Sequence, residues 1–491
     1  MDDLTAQRVA KLDRLRELGV DPYPARVRRS HSASEVRAMV EALPPGIGEP
    51  EASTVDVAGR VMALRKMGKA TFADLQDGSG RIQVLLRKDV IGDEAYERLK
   101  LVDLGDFIGA HGRPMRTRTG EPTVGAEQWT MLTKALHAPP EKFHGLADVE
   151  LRQRRRYLDL MANEDTRQTF VTRSRVVAAM RRYLDDRGFL EVETPILQES
   201  AGGAAARPFV THYNALDEDR FLRISLELHL KRLIVGGFDK VYEIGRIFRN
   251  EGMSPKHNPE FTMLELYWAY SDYMDVARLV EEMVSTIALE ATGSMTVTFR
   301  GHEIDLSPPW RRMTLREALN AYGDLDIDEY PTEPTLRDEL RRRGVDAPGG
   351  AGWGKLVDEA MSHYVEPKLI QPTFLLDYPV ELSPLAKRKP DNPRLVERFE
   401  PFVGGFEIGN AYSELNDPID QRLRFEEQLR LRAGGDEEAE LMDEDFLLAI
   451  EHGMPPTGGL GIGIDRLVML LTGQTTIREV ILFPQHKTVK G

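Results

Sequence analysis

The chain has 491 residues, of which 41% are hydrophobic and 30% charged, and its net charge is −15. This length allows two or more domains with separate cores, and the composition is typical of globular proteins. The chain contains no cysteine, which excludes disulfides, thiolate nucleophiles and thiolate zinc sites. No apolar run is long enough to span a membrane and the N-terminus does not resemble a signal peptide, so we expect a cytosolic protein.

The acidic net charge is only a weak argument against a nucleic-acid partner, because it averages over all faces of the molecule. The distribution of acidic and basic residues along the chain is more informative. The first thirty residues are basic, whereas residues 436–451 contain eight acids and no base. A basic N-terminal helix can be a solvated face or a phosphate contact, and both interpretations stay open. The acidic run has no role that the sequence identifies.

The N-terminal third is predicted to form a helix and a small barrel. Leucines near helical spacing predict a helix over residues 2–18, and a Pro/Gly-rich link follows at 43–50. From 55 to about 136 the pattern changes to short alternating strands, with a helical stretch near 93–101. Five or so short strands with one helix between them favour an oligonucleotide-binding (OB-fold) barrel.

The remainder of the chain mixes helices with strands, which predicts an α+β domain built on an antiparallel sheet. We predict helices at 168–188, 223–235 and 275–292, and strands at 241–250, 260–270, 401–415 and 479–483. The predicted organisation is an N-terminal helix and linker at 1–54, the barrel at 55–137, a second linker at 138–165 and the α+β domain at 166–491.

A predicted hairpin at 248–267 carries charged side chains at two-residue spacing on either side of a polar turn. Because alternate residues of a strand share a face, Arg249 is expected beside Glu251 before the turn, and Glu265 beside Tyr267 after it. Burying such charges is costly unless a ligand completes their pairing. A solvated, salt-bridged face is the alternative, but the aromatic ring beside the carboxylate argues against it.

A second acidic segment offers two glutamates, Glu400 and Glu407, whose hard oxygen atoms suit Mg²⁺. By themselves they are weak evidence for a metal site. Further polar residues follow at strand spacing, namely Asn410, Tyr412 and Glu414. Glu407 has the opposite parity, and a bulge at Gly409 would place it on their face.

Near the C-terminus a glycine-rich strand, 458–463, leads into a helix that we expect Asp465 to cap. The glycines either let a flat ligand approach the backbone or form a tight packing turn. Arg466 in the first helical turn is unfavourable to the helix dipole unless it serves an anion or a ring. Neither the Walker nor the Rossmann spacing is present, which argues against those two phosphate cradles.

Glu227 lies in the predicted helix at 223–235, after a flexible loop that contains Gly203. It can pair with Lys231, four residues further on, or it can face a ligand. In isolation, the pairing within the helix is the simpler interpretation.

Three segments resemble, in order, the signature motifs of class II aminoacyl-tRNA synthetases. They are 188–195 (GFLEVETP), 248–251 (FRNE) with 257–261 (HNPEF), and 461–466 (GIGIDR). Within that class the chain resembles the lysyl-tRNA synthetase family. The segments that carry this resemblance are 202–209 (GGAAARPF), 257–267 (HNPEFTMLELY), 383–387 (SPLAK) and 410–417 (NAYSELND). The resemblance begins near residue 55 and leaves the N-terminal helix and an insertion near 325–352 unspecified.

The resemblance implies a catalytic domain of the class II type, an anticodon-binding barrel and a homodimer formed through the segment ending at Pro195. The implied reaction joins lysine to ATP as lysyl-adenylate and then transfers lysine to tRNA, with Mg²⁺ on Glu400 and Glu407. The implied catalytic residues are Arg249 and Arg466. The implied ATP site contains Arg249, Glu251, His257, Asn258, Phe261, Glu407, Ile408, Gly463 and Arg466. The implied lysine site contains Gly203, Glu227, Arg249, Glu265, Tyr267, Asn410, Tyr412 and Glu414. The implied anticodon contacts are Arg65, Phe72 and Gln83, although Phe72 can also be a barrel-core residue.

The acidic residues independently suit a lysine substrate. A buried ammonium needs carboxylates and hydrogen-bond acceptors, and Glu265, Glu414 and Tyr267 supply both. An aspartate or asparagine site, as in the nearest relatives, would need a cationic or amide donor, and none occurs at these positions. A truncated relative that lysylates elongation factor P lacks the barrel. A catalytically silent binding module would be expected to have lost Arg249, Arg466 or the two glutamates.

Overall fold

The protein is described by a computed structural model that covers residues 3–42, 53–140, 148–346, 349, 351–434, 439 and 441–488. The chain divides into two compact units. The first comprises Met1–Asp148 and Tyr157–Ala162, and the second Val149–Arg156 and Asn163–Gly491. The link predicted at 43–50 lies outside the described residues, as do parts of the second link and of the acidic run.

The first unit is a five-stranded closed barrel with short helices. Its elements are α1 Asp3–Glu17, α2 Ala33–Glu41, β1 Val55–Met67, β2 Ala70–Gln76, β3 Arg81–Arg87, α3 Lys88–Ile91, α4 Asp93–Arg98, β4 Phe107–Arg116 and β5 Pro122–Thr133. The strands close in the order β1-β2-β3-β5-β4, and every neighbouring pair is antiparallel except β3 and β5. Strict alternation fills the interior, as with Ala73 and Leu75 of β2. These features confirm the predicted barrel.

Basic residues of α1 attach this helix to the barrel. Arg8 donates to the carbonyl oxygens of Ala135 (2.9 Å) and Leu104 (3.0 Å), and Lys11 pairs with Asp103 at 2.5 Å. Leu15 of the same helix is fully buried against the barrel core. At these two positions, therefore, the basic charge of the helix serves anchoring.

The rest of the chain forms the remaining elements. The helices are α5 Val149–Arg154, α6 Arg156–Ala162, α7 Glu164–Asp185, α8 Glu227–Val235, α9 Tyr273–Thr292, α10 Leu315–Gly323, α11 Glu333–Arg342, α12 Trp353–Tyr364, α13 Pro418–Ala433, α14 Glu444–Glu451 and α15 Ile464–Thr472. The strands are β6 Leu190–Glu191, β7 Leu197–Gln198, β8 Val210–Tyr213, β9 Glu218–Leu222, β10 Lys240–Phe248, β11 Glu260–Ala269, β12 Thr296–Phe299, β13 His302–Asp305, β14 Arg311–Thr314, β15 Thr373–Pro379, β16 Leu395–Val403, β17 Phe406–Glu407, β18 Gly409–Ser413 and β19 Thr457–Gly463.

A nine-stranded sheet organises the second unit. Its order is β14-β15-β16-β18-β19-β11-β10-β6, with β17 paired to β16. The sheet is mixed, because the terminal pairs β14–β15 and β10–β6 are parallel whereas the other neighbours are antiparallel. Its main core packs Val176 of α7, Val280 of α9 and Leu467 of α15 with Leu264 of β11, all fully buried. The α+β class with an N-terminal OB-fold barrel is confirmed.

Three predicted segments differ from the structure. The strand predicted at 401–415 is divided among β16, β17 and β18, because Gly404 and Gly405 adopt positive φ angles of 65° and 77° and turn the chain. The strand predicted at 479–483 is wrong. Val480 and Ile481 are buried in the main core after a single 3-10 turn, whereas Leu482 and Phe483 are exposed, and a short apolar run alone does not identify a strand.

The helix predicted to open near Arg223 begins instead at Glu227. The side chain of Arg223 is buried and pairs with Glu243 at 2.6 Å, and it donates to the carbonyl oxygen of Arg246 at 2.8 Å. These contacts hold the segment against β10 in a non-helical conformation. Within the described residues, no helix combines the length and apolarity that crossing a membrane would require.

Candidate active site

A glycine-containing strand, β19, lies between two strands that carry polar side chains. Two rows of residues cross β18, β19 and β11, namely Asn410–Gly461–Glu265 and Tyr412–Gly459–Tyr267. A Cβ atom at Gly459 would overlap the Glu414 carboxylate and lie 2.8 Å from the Tyr267 ring, and one at Gly461 would lie 2.6 Å from Met263. The glycines therefore provide the space into which side chains from both neighbouring strands extend.

Glu265 is a buried carboxylate that the backbone orients. Its Oε1 atom accepts hydrogen bonds from Ser225 Oγ (3.1 Å) and the amide of Leu226 (3.0 Å), and Tyr267 donates to Oε2 at 3.4 Å. Burial raises the pKa of Glu265 to about 7. The Leu226 hydrogen bond opposes this rise and the charge of Glu227 adds to it. Glu265 can therefore exchange its proton for a cation near neutral pH.

Lys231 places a fully buried ammonium among the predicted lysine-binding residues. It forms ion pairs with Glu227 and with Glu414, and Tyr412 donates to the other oxygen of Glu227 at 2.6 Å. Burial opposes the charged form, yet the two carboxylates raise the pKa of Lys231 above its usual value. The predicted Glu227–Lys231 pairing is confirmed. The positions of Glu265, Tyr267 and Glu414 carry no cation themselves, but Lys231 lies beside them.

Gly203 lies beside the same cluster. Its φ angle is 83°, and a Cβ atom there would lie 3.2 Å from Cβ of Glu227 and 3.1 Å from Ser225 Oγ. At the other side, Asn410 accepts a hydrogen bond from Arg398 at 2.9 Å. The structure thus brings the predicted lysine-site residues of α8, β11 and β18 to one pocket.

Arg249 lies at the edge of this pocket, just after β10. Its amide donates to the carbonyl of Pro259 at 2.9 Å, and its guanidinium lies 5.3 Å from the centre of the Phe261 ring. Burial lowers the pKa of Arg249, while the charges of Glu251, Glu265 and Glu407 oppose that effect. The predicted hairpin is confirmed, but β10 ends at Phe248. Arg249 and Glu251 consequently do not share a strand face, since the amide of Glu251 bonds back to the carbonyl of Arg249.

Arg466 joins residues that are far apart in the sequence. It pairs with the carboxylate of Glu407 at 2.9 Å and donates to the carbonyl of the same residue at 3.0 Å. His257 Nε2 lies 3.2 Å from Arg466, and burial together with the charges of Arg466 and Lys256 lowers the pKa of His257. A neutral His257 therefore accepts this hydrogen bond.

The remaining predicted nucleotide residues surround this group. The amide of Gly463 donates to the carbonyl of Ile408 at 3.1 Å. Asn258 is buried and donates to the carbonyl of Glu260 at 2.6 Å, while its side-chain oxygen has no hydrogen-bond partner among the described residues. Glu251 is exposed.

Asp465 does not cap α15, contrary to the prediction. The helix begins after Gly463 without a side-chain cap, and Asp465 is buried within its first turn. There Asp465 pairs with Arg173 at 2.6 Å and accepts a hydrogen bond from the amide of Thr262 at 2.6 Å. It connects α15 to α7 and β11, which position Arg466 and Phe261. Nothing in the local sequence pattern identifies these long-range partners.

Glu400 and Glu407 form the candidate metal site. Burial raises the pKa of Glu400 to about 7, with Arg398 opposing this rise and Glu407 adding to it. Tyr378 donates to Glu400 at 2.8 Å, and Arg398 pairs with it at 2.5 Å. In the part of the chain that is described, no three ligating side chains converge. Two carboxylates nevertheless fit Mg²⁺ that also binds substrate phosphates and water.

The strand pairing of β16 explains how Glu407 comes to lie on the same face as Glu400. Phe402 lies opposite Glu407 in β17, whereas Phe399 lies opposite Ala411 in β18. The two registers differ by one residue, as the bulge expected near Gly409 requires.

The predicted anticodon residues lie in the barrel unit. Arg65 lies opposite Phe72 in the β1–β2 pair, and its guanidinium binds Asp74 through two hydrogen bonds of 2.9 and 2.8 Å. Gln83 accepts a hydrogen bond from Thr123 at 3.0 Å. Phe72 is half-buried and alternates with the core-facing residues of β2. The barrel-core interpretation of Phe72 is therefore wrong, and its ring lies on the outer face.

Comparison with known families agrees with this geometry. Residues 148–487 match the model of tRNA synthetases class II (D, K and N), and residues 55–132 match that of the OB-fold nucleic acid binding domain. The chain belongs to the class II tRNA synthetases.

Its relatives define the subgroup. A lysine–tRNA ligase of Dehalococcoides mccartyi is 56% identical over 485 residues, which cover 99% of this chain and 97% of the relative. Those of Moorella thermoacetica and Bacillus subtilis (strain 168) are 55% and 52% identical. They cover 98% and 99% of this chain, and 97% and 98% of their own lengths. Within the class, the chain is a member of the lysine–tRNA ligase family, which confirms the resemblance.

Proposed function

We propose that this chain is a lysine–tRNA ligase, which joins L-lysine to ATP as lysyl-adenylate with release of pyrophosphate and then transfers the lysyl group to the terminal ribose of tRNA. The observation that carries the proposal is the buried acidic pocket of Glu227, Glu265 and Glu414, with Tyr267 beside it. Carboxylates in a water-poor site favour an ammonium ligand over neutral side chains of similar size. The full-length similarity to lysine–tRNA ligases points to the same substrate.

In this proposal different residues bind the two ends of the lysine molecule. Glu265, Tyr267 and Glu414 bind the side-chain ammonium of lysine, while Gly203, Glu227 and Asn410 contact its α-amino end. Arg249 binds the carboxylate of lysine and the α-phosphate of ATP. A planar, permanently charged guanidinium can hold both anions while negative charge develops between them.

The nucleotide lies over the hairpin and the start of α15. Phe261 and Arg466 hold the two faces of adenine, and Glu251, His257, Asn258, Ile408 and Gly463 line the site. Glu400 and Glu407 would hold Mg²⁺, which would supply positive charge to the phosphates of ATP. No protein nucleophile is needed, because the carboxylate of lysine attacks phosphorus directly. Catalysis then consists of positioning and electrostatic stabilisation.

The barrel binds the anticodon in this scheme. Phe72 is available on the outer face to stack on a base, with Arg65 and Gln83 beside it as polar contacts. The enzyme would act in the cytosol as a homodimer formed through the segment that ends at Pro195. Sedimentation analysis of the full chain tests the dimer.

Amino-acid-dependent pyrophosphate exchange with each of the twenty amino acids tests the function. We expect exchange with lysine alone, followed by lysine transfer to tRNA. Exchange driven by aspartate or asparagine, or by no amino acid, would refute the proposal. Lysine-dependent exchange without transfer to tRNA would instead support modification of a protein such as elongation factor P.

A further inference from the structure

Lys231 is a charged residue that the proposed function does not use. Its side chain is completely buried, and its ammonium contacts both Glu227 and Glu414. Three aromatic rings surround it, with centres 6.0 Å away for Tyr267, 5.6 Å for Tyr412 and 5.8 Å for Phe446. This environment of two carboxylates and aromatic rings is also the one proposed for the ammonium of the substrate.

The charges of the pocket can be counted. Glu227, Glu265 and Glu414 contribute three negative charges when ionised, and Lys231 contributes one positive charge. Two negative charges remain. A lysine molecule carries two ammonium groups, and its carboxylate is bound by Arg249 in the proposed function. The pocket and its substrate therefore neutralise each other only when Lys231 is included.

We propose that Lys231 is a positioning residue for substrate specificity: it holds Glu227 and Glu414 in place and reduces the charge of the pocket to the value that one lysine molecule neutralises. This inference rests on the proposed lysine-activating function. Without Lys231 three carboxylates would share a buried site, and one of them would have to bind a proton or an inorganic cation. Lysine would then compete with that cation.

A second role is physically possible and predicts the opposite result. Because the ammonium of Lys231 already contacts Glu414, it could instead compete with the substrate for that carboxylate. Removing the charge would then strengthen lysine binding, whereas our proposal predicts weaker binding. The sign of the change in the KM for lysine separates the two roles.

Lys231→Met tests this prediction, since methionine is a flexible apolar side chain of similar length. In pyrophosphate exchange we expect the KM for lysine to rise at least about tenfold and the KM for ATP to change less than about twofold. The reason is that the carboxylates left unpaired by the loss of Lys231 belong to the lysine site. Lys134→Met is the matched control. Lys134 is also buried and pairs with two carboxylates, Asp103 and Asp106, but it lies in the barrel unit. The Lys134→Met variant should leave the KM for lysine and the KM for ATP unchanged.

A double variant tests the charge count if Lys231→Met does not fold, whereas the single variant separates charge balance from competition. Glu227→Gln alone leaves one net negative charge, whereas Glu227→Gln with Lys231→Met restores two and removes the buried ion pair as a unit. We expect the double variant to have a lower KM for lysine than Glu227→Gln alone. An equal or higher KM would overturn the proposal, as would an unchanged or lower KM in folded Lys231→Met. Absence of lysine-dependent exchange in the wild-type protein would instead refute the proposed function.

Discussion

Glu265→Gln removes one charge from the proposed lysine pocket while preserving its shape. The amide oxygen of glutamine can still accept the hydrogen bonds from Ser225 and Leu226, which measure 3.1 and 3.0 Å in the glutamate. The hydroxyl of Tyr267, now donating across 3.4 Å, can rotate to accept from the new amide group. We therefore expect the variant to fold normally and to isolate the effect of charge.

The lost charge weakens the binding of the side-chain ammonium of lysine. Losing the charge of a buried partner, with the contact geometry retained, costs about 2–3 kcal/mol, which corresponds to a rise of about 30- to 140-fold in the KM for lysine. The KM for ATP should change less than about threefold, since the hydrogen-bond partners of Glu265 are Ser225, Leu226 and Tyr267, none of which is a proposed nucleotide residue. Pyrophosphate exchange measures both constants in the same preparation.

The pH dependence gives an independent test of the same residue. With a pKa of about 7, Glu265 is protonated in the empty pocket below neutral pH, and lysine must displace that proton. The KM of the wild-type protein should therefore rise as the pH falls, by about tenfold between about pH 8 and about pH 6. The rise should be smaller in Glu265→Gln but not abolished, since burial also raises the pKa of Glu414 in the same pocket. A variant that keeps the tenfold dependence, or in which the KM values for lysine and ATP rise equally, would refute the reasoning.

Three further variants test other parts of the site. Gly459→Ala places a methyl group against Glu414 and 2.8 Å from the Tyr267 ring. We therefore expect kcat/KM for lysine to fall at least about 100-fold. The control variant, Gly352→Ala, meets no atom within 4 Å and should change kcat/KM little. Arg466→Ala should raise the KM for ATP at least about tenfold and that for lysine much less, because a partly buried charge-assisted contact is lost at the nucleotide end; equal effects would contradict the assignment. Phe72→Ala should reduce kcat/KM for tRNA charging about tenfold through lost stacking and leave exchange intact; a loss of both, with unfolding by circular dichroism, would make Phe72 a structural residue.

The order of the elements was predictable because it depends on local patterns. Alternation in β2 and β3 identifies the barrel, and two-residue spacing identifies β11 with Glu265 and Tyr267 on one face. The end of β10 was not predictable in the same way. It depends on the turn that follows, in which the amide of Glu251 bonds back to the carbonyl of Arg249, and no side-chain periodicity encodes that turn.

Lys231 forms one ion pair that sequence spacing predicts and a second that it does not predict. Its pairing with Glu227 follows from helix geometry, which brings residues four apart onto one face. Its pairing with Glu414 requires α8 to pack beside the end of β18, and that arrangement depends on the whole sheet. Spacing alone consequently predicted an ordinary helical ion pair, although the residue lies at the centre of the candidate site.

The glycines of β19 and the acids of its neighbours act together. The sequence interpretation was that Gly458–Gly463 let a flat ligand reach the backbone, or else form a packing turn. In the structure, Gly459 is covered by the Glu414 carboxylate and the Tyr267 ring, which come from opposite sides of the strand. A side chain at Gly459 would displace both groups, whereas glycine lets them approach each other across the strand. The acidic pocket therefore depends on the glycine strand as much as on the carboxylates, and a chain with the same glutamates but a branched residue at position 459 should not bind an ammonium there.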